Sequence, residues 1–89
     1  MIKGVTASGF NFEIDPEVTH DMEWVDIAGD VEDKPQKFGK FIEMTLGKDQ
    51  KKRLYDHVRQ NGRVTVEAVS SEFAEILLSL KEDEDAKNS

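Results

Sequence analysis

The chain has 89 residues, no cysteine and a formal net charge of -7 at pH 7, with 37% hydrophobic and 35% charged residues. This length holds one small domain, and the lack of cysteine excludes a disulfide scaffold, a thiolate metal site and a cysteine nucleophile. No apolar run is as long as a membrane-spanning helix or a signal peptide, so we expect a cytoplasmic protein that is not secreted. The negative net charge argues against a general nucleic-acid binder.

Charge is distributed in blocks along the chain. Residues 11–33 contain nine acidic residues and no Lys or Arg, residues 34–63 contain nine basic and three acidic residues, and residues 64–89 contain seven acidic and two basic residues. These blocks can neutralise one another within the folded monomer, or they can meet between molecules and guide self-association or partner docking. We favour the first alternative, since charge patterning alone defines no partner.

The N-terminal segment predicts a short β-like arm. Residues 1–8 have little pattern and are expected to be loose, whereas Phe10, Phe12 and Ile14 alternate with polar residues, as in a strand with one covered face. A lone strand cannot satisfy its own backbone. The arm therefore either stays extended or pairs with a strand that the pattern does not identify.

Residues 9–80 form the single predicted domain, in which four helices follow the arm. The sequence Asp15-Pro16-Glu17 is typical of a helix start, with a capping side chain followed by proline in the first turn. Asp33 begins a second start signal, and Gly47 and Asn61-Gly62 are expected stops. The predicted helices cover residues 16–32 with an irregularity near Thr19 and His20, residues 34–46, residues 48–60 and residues 64–80.

The fourth helix has the clearest amphipathic pattern, with Thr65 as its predicted cap. Its apolar stripe needs a partner surface, and the chain supplies one in the apolar residues of the other three helices. We therefore interpret the stripe as core, while Leu78 falls beside it and is a candidate second contact. The polar residues 81–89 are expected to form a disordered acidic tail. The stripe consists of Val66, Val69, Phe73, Ile76, Leu77 and Leu80.

No residue pattern indicates catalysis. His20 and His57 are far apart in the chain, and neither has the spacing of a metal ligand. The acidic residues of the first helix lack the alternating ligands and central glycine of a calcium loop. We predict no catalytic site, no metal and no cofactor, so the protein is expected not to be an enzyme.

The segment 48–63 is the best nucleic-acid candidate, because a basic helix followed by a tight turn can contact phosphates. The acidic blocks on both sides would repel the same phosphates, so an interaction with acidic protein surfaces is the simpler interpretation. A small DNA-binding or regulatory module stays the alternative function. The candidate charge patch comprises Lys48, Lys51, Lys52, Arg53 and Arg59.

Three segments together resemble the tail assembly chaperones of long-tailed (siphovirus-type) phages and prophages. These are GFNFEID, then MEWVDIAGDVED, and then FGKFIEMTLGKDQKKRLYDHVRQNGRVTVEAVSSEFAEILLSL. The similarity lies in an alternating aromatic arm, a helix with an early Trp, a Leu-Gly-Lys-Asp turn, a Lys-rich helix that ends in Asn-Gly-Arg-Val, and a final amphipathic helix. It covers residues 9–80 and includes no catalytic signature.

The resemblance implies a mostly helical, non-enzymatic protein of the bacterial host cytoplasm. Such a protein would bind and solubilise the tape-measure protein, help recruit tail-tube subunits and self-associate. A structural tail component that stays in the virion is a further alternative. Phe10 and Phe12 are open to two interpretations, since an arm can fold back or reach out. The candidate partner contacts are Phe10, Phe12, Trp24 and Leu78.

Overall fold

A computed structural model describes the backbone of residues 1–88 and the side chains of residues 1–82. The chain is mostly helical, with four α-helices and a two-stranded N-terminal sheet, which confirms the predicted fold class of a small helical bundle behind a β-like arm. The last helix continues to Asn88, past its predicted end at residue 80 and into the predicted disordered tail, while most side chains of residues 81–89 lie outside the described part of the chain. The elements are β1 (Ile2–Val5), β2 (Asn11–Ile14), a 3-10 helix (Pro16–His20), α1 (Met22–Asp30), a second 3-10 helix (Pro35–Lys37), α2 (Phe38–Leu46), α3 (Lys48–Val58) and α4 (Val66–Asn88).

The expectation of a loose segment at residues 1–8 is corrected, because β1 forms there and pairs antiparallel with β2. Ile2 lies opposite Ile14 and Gly4 lies opposite Phe12. The Phe12 ring covers Gly4 so closely that a Cβ on the glycine would lie 2.6 Å from the ring Cζ. The second inward position of β1 thus has no side chain of its own, and this hides the strand's alternation in the sequence.

Backbone groups at the hairpin tip and on the outer edge of β2 find hydrogen-bond partners within the chain. At the hairpin tip, Thr6 N–H donates to the Phe10 carbonyl at 3.0 Å, and Phe10 N–H donates to Thr6 Oγ1 at 3.1 Å. On the edge away from β1, Glu13 N–H donates to Gln50 Oε1 at 2.7 Å, and Gln50 Nε2 donates to the Glu13 carbonyl at 2.7 Å. A side-chain amide of α3 therefore takes the place of a third strand.

The first predicted helix is divided in two by a second cap. Asp15 caps the first 3-10 helix, since its carboxylate accepts a hydrogen bond from Glu17 N–H at 3.0 Å. Asp21 then caps α1 and accepts from Glu23 N–H at 2.8 Å. The irregularity predicted at residues 19–20 lies at this junction.

The remaining boundaries follow the predicted stop signals more closely than the start signals. Asp33 caps nothing, since the second 3-10 helix begins after Lys34 without a side-chain cap. Asn61 and Gly62 adopt φ of 54° and 76° in the turn after α3, as expected for residues that tolerate a left-handed backbone. Thr65 Oγ1 accepts from Ala68 N–H at 3.2 Å, as predicted for the cap of the last helix.

The core joins the inner face of the hairpin to all four helices. Ile14, Ile42, Leu54, Phe73 and Ile76 are its most deeply buried large side chains, and they come from β2, α2, α3 and α4. The stripe of α4 from Val69 to Leu80 thus packs within its own chain, as its spacing indicates, whereas Val66 at the start of the helix is 67% exposed and was wrongly included. The other buried apolar residues are Phe10, Phe12, Ile27, Phe41, Leu46, Val69 and Leu80.

Candidate interaction surfaces

Two of the four predicted partner contacts belong to the core. Phe10 and Phe12 are each only 4% exposed. The Phe10 ring centroid lies 5.4 Å from the Arg53 guanidinium carbon and 5.4 Å from the His57 ring centroid. The interpretation of these aromatics as partner contacts is therefore corrected, because the pairing of β2 with β1 turns them towards the helices.

Trp24 has a structural contact that explains its position. Its indole Nε1 donates to Thr45 Oγ1 at 2.8 Å, and its ring centroid lies 5.2 Å from that of Phe41. Thr45 in turn donates to the Phe41 carbonyl at 2.8 Å. Trp24 is half-buried and fastens α1 to α2, whereas Leu78 on α4 is 53% exposed, as the pattern indicates.

Three residues of the predicted charge patch contact other groups of the chain, and all of the patch except the half-buried Lys51 is exposed. Lys51 lies 3.7 Å from a Glu43 carboxylate oxygen and 5.6 Å from the Tyr55 ring centroid. Arg53 donates to the Asn11 carbonyl at 3.4 Å, Arg59 pairs with Asp56 at 3.6 Å, and Lys48 and Lys52 are exposed.

A polar cluster at the hairpin tip was not identified from the sequence. Ser8 Oγ lies 2.8 Å from His57 Nε2 and donates to Glu72 Oε1. Ala7 N–H donates to Glu75 Oε1 at 2.9 Å. Glu72 is buried, and its Oε2 has no hydrogen-bond partner within the described part of the chain.

The hydrogen bonds of the tip cluster are typical of a structural contact between the hairpin and the helices, and less typical of a nucleophilic catalytic site. A nucleophilic serine donates its proton to a histidine, and the acid then orients that histidine. Here the Ser8 hydroxyl donates to Glu72 instead. The cluster therefore holds the hairpin tip to α3 and α4, and sequence spacing could not reveal it because Ser8 and Glu72 are 64 positions apart.

An open groove of about 770 Å³ lies between the hairpin and the start of α3. Cationic and acidic side chains both line it, and Lys3 pairs with Glu13 across the hairpin at 3.5 Å. Mixed charges of this kind select no single class of ligand. Within residues 1–82, no three His, Asp or Glu residues form a cluster that could hold a metal ion. None of the described helices combines the length and apolar character needed to cross a membrane.

The surface of α1 that points away from the core has an apolar strip. Met22 is 66% exposed and lies opposite Trp24 and Ile27 on the helix, and Val25 beside it is 44% exposed. A Cβ added to Gly29 would have no atom within 4 Å. We call Met22, Val25, Asp26 and Gly29 the outer face of α1.

The electrostatic surroundings of the outer face are acidic. Glu23 and Asp26 are exposed. Asp30 accepts a hydrogen bond from Lys37 Nζ at 2.8 Å, and this ammonium lowers the pKa of Asp30 below its ordinary value. That ion pair joins the first charge block to the second, but the other acidic residues of α1 have no ion pair within residues 1–82. The signal for this face was present in the sequence, since Met22 and Val25 fall outside the apolar stripe that helical spacing gives to Trp24, Ile27, Ala28 and Val31.

Comparisons of this chain with protein-family models, curated proteins and solved structures find no match.

Proposed function

We propose that this chain is a tail assembly chaperone of a long-tailed phage or prophage. In this role it would act in the host cytoplasm, bind and solubilise the tape-measure protein, and help recruit tail-tube subunits without catalysing a reaction. The observation that carries the proposal is the exposed apolar strip of α1, which lies on a chain that resembles that family over residues 9–80. The core is complete without Met22 and Val25, so these side chains are free for a partner.

The physical demands of the role agree with this surface. A tape-measure protein presents a long helical surface, so a chaperone must cover apolar residues along its whole length and later leave. Small apolar patches on many copies achieve this, because each contact is weak while the sum of many contacts is strong. Val66 and Leu78 on α4 are also exposed apolar residues, but they lie twelve positions apart and form no continuous strip.

The alternative of a DNA-binding module receives less support from the geometry. Three of the five patch residues, Lys51, Arg53 and Arg59, already contact other groups of the chain. A phosphate backbone binds best to several Lys and Arg side chains that lie on one face and have no other partner. The outer face of α1 is in addition acidic, which disfavours the approach of any nucleic acid.

Co-expression with the tape-measure protein of the same genome tests the proposal. We expect a larger soluble fraction of the tape-measure protein than with an unrelated acidic protein of the same size, and we expect the two chains to co-purify. An unchanged soluble fraction would contradict the chaperone role. Mass spectrometry of purified virions separates this role from a structural one, since a chaperone is absent from the finished particle and a structural component is present.

A further inference from the structure

We propose that the outer face of α1 is a docking surface for an amphipathic helix whose apolar stripe is flanked by Lys and Arg residues. This inference rests on the proposed function and assigns to it a surface and the chemistry of the partner.

The shape of the outer face suits a helix. Met22, Val25 and Gly29 follow one another at spacings of three and four, so they form a single strip along α1. Gly29 lies in the helix, where glycine is less favourable than alanine, and no neighbouring atom requires its small size. The missing side chain leaves a flat position beside Val25, where the ridge of a second helix can approach closely.

The charge of the surroundings selects a basic partner. Glu23 and Asp26 lie along one side of the strip, and residues 11–33 contain nine acidic residues and no Lys or Arg. Of the acidic residues in α1, Asp30 alone has an ion partner within the described part of the chain, and that partner is Lys37. An approaching helix with Lys or Arg beside its apolar stripe gains complementary pairs, whereas an acidic helix is repelled.

A second copy of this chain is a poorer occupant than a different, basic helix. The exposed apolar residues of α4, Val66 and Leu78, lie in a segment where residues 64–89 contain seven acidic and two basic residues. Docking α4 on the outer face of α1 would bring like charges together. The basic helix α3 has no large exposed apolar residue among those described, so it offers charge without a stripe.

The test uses two synthetic 20-residue amphipathic peptides with the same leucine stripe, one flanked by lysines and one by glutamates. Fluorescence anisotropy measures their affinity for the full chain at low salt. We expect the lysine peptide to bind at least about tenfold more tightly than the glutamate peptide. Similar affinity for both peptides, or no binding of the lysine peptide, would overturn the inference.

A pair of double variants separates apolar docking from charge attraction. Met22→Glu with Val25→Glu should weaken the lysine peptide at least about tenfold, since it removes the apolar strip. The matched control, Val5→Glu with Gln60→Glu, adds the same charge at exposed positions outside α1 and should change the affinity less than about twofold. Attraction by net charge alone predicts tighter binding for both variants, and that result, or an equal loss in both, would contradict the inference. Circular dichroism checks that both variants remain folded.

This test and the co-expression test fail independently. A chain that solubilises the tape-measure protein but ignores the lysine peptide keeps the proposed function and loses the α1 surface. A chain that binds the lysine peptide through α1 but leaves the tape-measure protein insoluble keeps the surface and loses the proposed function.

Discussion

The hairpin and α1 use apolar residues in opposite ways. In the hairpin, Phe10 and Phe12 were open to two interpretations, since an arm can fold back or reach out, and both are buried. In α1, Met22 and Val25 lie beside the residues that pack against the core, and both are exposed.

The difference shows that the number of apolar residues in an element does not decide where they lie. A strand gains a buried face as soon as a second strand pairs with it, because pairing fixes which side chains turn inward. A helix that already covers the core with Trp24 and Ile27 leaves its remaining apolar residues outside. The aromatic residues of the hairpin thus stabilise the fold, while α1 keeps an exposed apolar strip that the core does not use.

Truncating one side chain in each region should give the largest difference in the free energy of unfolding between the hairpin and α1. Phe12→Ala should destabilise the chain by about 3–5 kcal/mol, because a buried ring leaves a cavity and uncovers Gly4. Met22→Ala removes an exposed side chain and should change the free energy of unfolding by less than about 0.5 kcal/mol. Urea unfolding followed by circular dichroism measures both values, and similar losses for the two variants would contradict the assignment of the hairpin to the core.

Replacing one glycine by alanine in each region should give smaller effects, of opposite sign, on the free energy of unfolding. Gly4→Ala should destabilise the chain by about 1–3 kcal/mol, because the new Cβ would meet the Phe12 ring at 2.6 Å. Gly29→Ala should stabilise it by about 0.5–1 kcal/mol, since the position is helical and has no neighbouring atom within 4 Å. The same unfolding measurement compares them.

The sign of each glycine effect is decisive. A neutral or stabilising Gly4→Ala would mean that the Phe12 ring does not cover β1. A destabilising Gly29→Ala would mean that an unrecognised contact already covers the outer face of α1 within the monomer.

The helices were predictable from the sequence because their signals are local. Asp15 with Pro16 and Gly47 act through neighbouring backbone groups, and the structure has a boundary at each of them, while Asn61 and Gly62 form the turn that follows the end of α3 at Val58. The junction between the first 3-10 helix and α1 was also visible as an irregularity. The helix start predicted at Asp33 was wrong, because the Asp33 side chain caps no backbone N–H group.

The hairpin and the surfaces were less predictable because they depend on distant partners. β1 has glycine where an inward side chain is expected, so only the Phe12 ring from the other strand completes its pattern. The bonds from Gln50 to Glu13 and from Ser8 to Glu72 join residues 37 and 64 positions apart. Spacing along the chain contains no signal for such contacts. The exposed strip on α1, in contrast, could have been found from the sequence as the apolar residues of the first helix that lie off its core-facing stripe.

We expect a partner helix to meet α1 and to leave the hairpin undisturbed. Nuclear magnetic resonance of the ¹⁵N-labelled chain, titrated with the lysine-flanked amphipathic peptide, tests this expectation residue by residue. We predict shifts of the amide signals of α1 around Met22, Val25 and Gly29, with those of β1 and β2 nearly unchanged. Shifts concentrated in the hairpin, with α1 unaffected, would contradict it.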